Sequence, residues 1–123
     1  MTKRVLDVGQ CSPDHQTIRR YLSSNFNAAV DQTHGPEDTL QALRERSYDL
    51  VLINRKLDRD YSDGLEILRQ IKSDPELASV PVMLVTNYAE HQDAAVAAGG
   101  ERGFGKLEYD KPETREKLRA LLG

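Results

Sequence analysis

The sequence predicts an α/β protein, a doubly wound five-stranded parallel sheet with helices on both faces. Three observations predict it. Short apolar, β-branched runs alternate five times with segments whose apolar residues recur at helical spacing. One run, Leu50-Val51-Leu52-Ile53, is apolar without interruption, the pattern of a strand covered on both faces. Helix starts and stops fall between the runs, at Ser12-Pro13, Pro36, Asp74-Pro75, Gly99-Gly100 and Pro112. The 123 residues are enough for one packed domain, taken as residues 1–123.

Residues 4–8 form the first strand. Ser12 then offers an N-cap hydroxyl, with Pro13 at the first helical position, and Ile18 and Leu22, four apart, make the buried face beside Tyr21. A weak strand follows near residues 28–30. Pro36 opens the second helix, with Leu40 and Leu43 inward, and residues 50–53 are the buried strand. The third helix starts after Gly64, carries Leu65, Leu68 and Ile71 with Ile67 beside them, and ends at Ser73-Asp74-Pro75. Residues 80–86 are the fourth strand, with Pro81 near its start, where a missing N–H is tolerated. An Ala-rich helix over residues 88–98 stops at Gly99-Gly100. Residues 102–105 are a short fifth strand, and Pro112 opens the last helix, with Leu118, Leu121 and Leu122 on one side.

Composition excludes several classes. Lys plus Arg total 17 against 20 Asp plus Glu, a net charge of -3, with no basic block, so there is no electrostatic footprint for nucleic acid. The apolar runs are far too short to span a membrane. Lys3 and Arg4 lead directly to Asp7, Gly9 and Gln10, with no signal-peptide core between them. The single cysteine, Cys11, rules out an internal disulfide. A soluble cytoplasmic protein is the expectation.

In an open parallel sheet, chemistry sits beyond the carboxyl ends of the strands. The residues placed there are Gly9, Gln10, Asn54, Thr86 and the segment around Lys106. No glycine-rich phosphate loop follows any strand. Cys11 lacks the Cys-x5-Arg pattern of a phosphatase, because Thr17 stands where the arginine is needed, and it is read as inert. Asp7-Val8-Gly9 fails the Asp-x-Asp pattern of aspartate-based phosphatases. His15, His34 and His91 lack metal-ligand spacing and are expected on the surface, and Asp58, Asp60 and Asp63, interleaved with Arg55, Lys56 and Arg59, read as a solvated loop. Asp7 stands mid-strand, and a buried carboxylate must be paired, hydrogen-bonded or protonated. It lies two residues before Gly9, hence on the same face, and is expected to reach toward the pocket. The sequence names no partner for it.

Four segments in order carry a resemblance: Tyr48 to Ile53 as a strand leading to Asn54; Asp63-Gly64-Leu65-Glu66-Ile67-Leu68; Val80-Pro81-Val82-Met83-Leu84-Val85-Thr86; and Ala97-Ala98-Gly99-Gly100 followed by Gly103-Phe104-Gly105-Lys106. With this order and spacing the whole chain resembles the response-regulator receiver family, of flavodoxin-like topology. The resemblance implies that Asn54 replaces the phosphoacceptor aspartate, and that Gly9 and Gln10 replace the acidic pair that holds Mg²⁺. It implies that Thr86 and Lys106 are the phosphoryl-contact positions, and that Gly103 is the position of the switch aromatic. Lys111-Pro112 competes with Lys106 for the family lysine; spacing on the fifth strand favours Lys106, leaving residues 107–111 as an extended loop. The loop after Asn54 is longer than in the family.

An amide is a poor nucleophile and forms no acyl phosphate. Mg²⁺ normally needs one or two carboxylates, and all three are replaced. The resemblance therefore implies a degenerate receiver: no enzyme, no cofactor, no metal. It would bind a signalling protein, kinase or output protein, through the face of the fourth helix, fifth strand and fifth helix. The neutral pocket implies Lys106 donating to the Asn54 amide oxygen, with Thr86 completing the network. The alternative is an active response regulator phosphorylated on a non-standard aspartate, Asp58 or Asp7; a flavodoxin-like enzyme has no motif behind it. Both a stand-alone adaptor and a piece of a larger protein stay open.

Overall fold

The computed structural model describes residues 2–109 and 111–123. Strand β1 (Lys3–Val8) leads to α1 (Ser12–Phe26), β2 (Ala28–Thr33) to α2 (Pro36–Glu45), and β3 (Leu50–Asn54) to α3 (Gly64–Ser73). Strand β4 (Val82–Val85) leads to α4 (Ala89–Ala97), and β5 (Glu101–Phe104) to α5 (Pro112–Leu122). The strands form one parallel sheet in the order β2-β1-β3-β4-β5. The order reverses between β1 and β3, so the crevice at their carboxyl ends is the expected ligand position.

The pleat sorts the core. Val5, Leu50 and Leu52 point to α1 and α5, where they pack with Ile18, Leu22, Leu118 and Leu122. Leu6, Val8, Val51 and Ile53 point the other way, onto Leu43, Ile67, Leu68 and Ile71. Two-sided burial explains why β3 is apolar at consecutive positions. In α3 the inner stripe is Ile67, Leu68 and Ile71, with Leu65 at its half-buried margin.

Several boundaries differ from the sequence expectation. Helix α1 is capped by Cys11, with no side-chain bond, and Ser12 is already helical. Strand β2 extends to Thr33 and pairs with β1 along its length, Lys3 with Ala28 through Val8 with Thr33. It was weak in sequence because an edge strand of half-buried residues needs no apolar alternation. Strand β4 is shorter, and the Pro81 carbonyl serves as acceptor for the Val51 N–H at 2.9 Å. Strand β5 ends at Phe104. The segment after it is a compact turn rather than an extended loop: Gly105 N–H donates to Glu108 Oε1 at 2.7 Å and Glu108 N–H to the Gly105 carbonyl at 3.0 Å. Asp110 lies outside the described residues.

Candidate functional site

The chain leaves β1 through Gly9 at φ +75, a left-handed turn that favours glycine. Gly9 N–H donates to the Thr33 carbonyl at 2.9 Å. Its own carbonyl accepts from Asp58 N–H at 3.0 Å and from Asn54 Nδ2 at 3.1 Å. A β-carbon at position 9 would stand 2.5 Å from Leu57 Cδ2. Leu57 is buried and belongs to the core. The β3–α3 loop thus folds back over β1 and fills the space of a side chain at position 9 with hydrocarbon. The loop holds itself by Leu57 N–H to the Ser62 carbonyl and Tyr61 N–H to the Leu57 carbonyl, both 2.9 Å, and by an antiparallel bridge between Lys56 and Asp63. At its far end Gly64 packs against the Asn54 carbonyl so closely that no β-carbon fits.

Gln10 is fully buried, and neither amide atom has a hydrogen-bond partner among the described residues. These positions do not fit Mg²⁺. Gly9 offers no side chain and its carbonyl is engaged twice, Gln10 and Asn54 are neutral amides, and Leu57 occupies the space that a side chain at position 9 would fill. The neighbouring carboxylates are committed elsewhere: Asp58 to His34 Nδ1 at 3.3 Å and Asp14 to Lys106.

Asn54, Thr86 and Lys106 do line one cleft, of about 400 Å³, with Arg55, Lys56, Asn87 and Tyr88. The expected network inside it does not form. Lys106 Nζ donates to Asp14 Oδ2 at 2.8 Å rather than to Asn54, because an ammonium binds a carboxylate more strongly than a neutral amide. The Asp14 carboxyl is held below the ordinary carboxylate range, first by this bond. Asn54 turns its amide to Gly9, and the Thr86 hydroxyl meets His91 Nδ1 at 3.2 Å. Lys111, the competing lysine, contacts Glu108 at 3.2 Å and stands at the start of α5. At Gly103 the Leu84 carbonyl leaves no room for a β-carbon; the aromatic on β5 is Phe104, buried against Tyr109.

Asp7 does not enter this cleft. It points under α1 and meets His15 Nδ1 at 2.7 Å, with both residues buried. The surface expectation for His15 is therefore corrected. Its signal was present: His15, Ile18 and Leu22 recur at i, i+3 and i+7, which puts the imidazole on the inner face of α1. His34 and His91 are half-buried and bonded as well.

Sequence reasoning also missed Gln92. Buried on α4, it donates to the carbonyls of Leu84 at 3.0 Å and Thr86 at 3.2 Å, and its Oε1 accepts from Gly103 N–H at 2.7 Å. One amide thus clamps α4 to β4 and β5. Its spacing from the buried Ala95 was the available signal.

Comparison with known proteins agrees with this fold. A family model described as response regulator receiver domain matches residues 13–122. The polar-differentiation response regulator DivK of Brucella ovis is 27% identical over 124 residues, covering 100% of this chain and 98% of that protein. A putative response regulator from Chloroflexus aurantiacus superposes with a TM-score of 0.85 at 16% identity, covering 99% of this chain and 98% of the other. The Vibrio cholerae chemotaxis protein CheY4 superposes at 0.77 with 16% identity, over 99% of this chain and 100% of that one. Among the described residues no helix is long and apolar enough to cross a membrane.

Proposed function

The chain belongs to the response-regulator receiver family of two-component signalling, and we propose that within it this protein is a degenerate receiver that works without phosphorylation. The observation that carries this reading is Asn54 at the phosphoacceptor position, its amide donating to the Gly9 carbonyl where a metal-binding site would need oxygen donors with charge. Leu57 over Gly9 and the buried Gln10 support it, since neither leaves a place for a cation. Phosphoryl transfer depends on that charge neutralisation.

The module acts by binding a signalling protein, a kinase or an output protein, through the face of α4, β5 and α5. It is a binding module of the cytoplasm rather than an enzyme. On that face Met83, Glu101, Arg102, Lys117, Ala120 and Leu121 line a shallow groove, and Val96 is exposed on α4. The Gln92 clamp holds α4 in one position on the sheet, which suits a surface presented constitutively.

Intact-mass spectrometry after treatment with acetyl phosphate and Mg²⁺ tests the reading. No added phosphoryl group is expected; an acid-stable, base-labile phosphoryl group on any aspartate refutes it.

A further inference from the structure

The cleft over Asn54 continues past Lys56 and Lys106 into a second hollow of about 370 Å³ that ends at Tyr61. The two share Asn54, Lys56 and Lys106, so they form one trough across the carboxyl end of the sheet. Its two ends carry exposed aromatics, Tyr88 at 62% and Tyr61 at 76% exposure.

The charge of this trough is reversed from what the family resemblance implies. The half lined by Arg55, Lys56 and Lys106 has no carboxylate in its wall. Asp14, beside the shared floor, is ion-paired with Lys106, and Asp58, in the wall of the second hollow, is hydrogen-bonded to His34 Nδ1. Asp60 is bonded to Ser62, and Asp63 caps α3 through Leu65 N–H. Arg55 and Lys56 have no side-chain hydrogen bond or ion pair among the described residues. Around Asn54, Arg55 and Lys56 thus face a neutral amide floor with no carboxylate in that wall, while Asp58 lines the far hollow that ends at Tyr61.

We infer that this trough is a docking groove for an acidic segment of a partner protein, a carboxylate side chain between Arg55 and Lys56 flanked by apolar residues against Tyr61 and Tyr88. Charge complementarity selects the occupant. A cationic wall repels metal ions and basic segments, and charge-assisted bonds to arginine and lysine favour carboxylate. The aromatic ends supply apolar contact area beside it. The trough shares no lining residue with the groove on the α4–β5–α5 face.

The test is an NMR titration of the ¹⁵N-labelled full chain with a short peptide carrying one aspartate between leucine and phenylalanine. The same peptide with asparagine is the control, and inorganic phosphate is the small-anion probe. The aspartate peptide is expected to shift the amides of Lys56, Tyr61 and Tyr88. The asparagine peptide and the exposed-site variant Lys56→Glu are each expected to bind about tenfold more weakly, the size of one charge-assisted contact. A thermal melt checks that the variant is folded. Equal binding of both peptides, shifts confined to another face, or saturation by phosphate without binding of the aspartate peptide overturns the groove. The inference rests on the phosphorylation-independent reading but is tested with no phosphodonor present. A null titration therefore overturns the groove alone, and a donor-dependent phosphoryl group overturns the reading alone.

Discussion

Asp7 Oδ2 stands 2.7 Å from His15 Nδ1, on opposite sides of the seam between β1 and α1, with both residues closed off from water. Burial, then the nearby Asp14 carboxylate, pushes the Asp7 pKa up to about 8. Burial, followed by Arg19 and His34, pushes the His15 imidazole below its ordinary value. The carboxyl therefore keeps its proton at neutral pH beside a neutral imidazole. The pair carries no net charge, which is how the core tolerates it.

Folding stability should fall as pH rises from 6.5 to 8. The native Asp7 binds a proton between its ordinary 3.8 and about 8, while the unfolded chain does not, so stability from this group is lost as pH climbs through that window. His15 has the opposite sign, since its lowered value makes stability rise with pH, but only up to its ordinary 6.5. Above 6.5 the Asp7 effect stands alone within the pair, at about 1.4 kcal/mol per pH unit, or roughly 2 kcal/mol to pH 8. Urea unfolding at the two pH values measures it, and Asp7→Asn should flatten the difference. A wild-type chain more stable at pH 8 would contradict the assignment.

Asn54→Asp alone should not restore phosphorylation. The new carboxylate loses the donor bond to the Gly9 carbonyl and faces that carbonyl oxygen instead, destabilising the fold by about 1–2 kcal/mol. Adding Gly9→Asp makes matters worse, because the backbone there is left-handed and Leu57 fills the space. The melting temperature of wild type should not respond to millimolar Mg²⁺. Efficient labelling of the single variant, or a melt raised several degrees by Mg²⁺, would show that the metal argument is wrong.

Gln92→Leu should destabilise by about 2–4 kcal/mol. The change removes three hydrogen bonds and strands Gly103 N–H and two carbonyls in a buried place. The loss should appear first as faster hydrogen exchange in α4 and β5, as expected when a local clamp is released. Uniform exchange rates across the sheet would mean that Gln92 is not the clamp.

Lys106→Ala should leave the fold intact and change stability by less than about 1 kcal/mol, since its pair with Asp14 is about one third exposed and screened. The Asp14 pKa should rise in the variant, because Lys106 is the first cause of its depression. An NMR titration of the Asp14 carboxyl that is unchanged from wild type would rule out the pair in solution.

The chain of alternating runs determined the sheet, because a strand covered by helices on both faces must be apolar at consecutive positions, and residues 50–53 are. It also determined the chemical identity at the strand ends: Gly9, Gln10 and Asn54 carry no charge in any fold. What stayed out of reach was every contact between residues distant in sequence. The resemblance paired Lys106 with the Asn54 amide, and only the fold put Asp14, ninety-two positions away, 2.8 Å from its ammonium. Leu57 lies in the loop after Asn54, and only the fold closes that loop over Gly9. Asp7 demanded a partner by simple electrostatics, but which side chain answered depended on the rotation of α1 against β1, and that is set by how Ile18 and Leu22 pack. Local pattern fixes which elements form; the packing of their faces decides which polar groups meet.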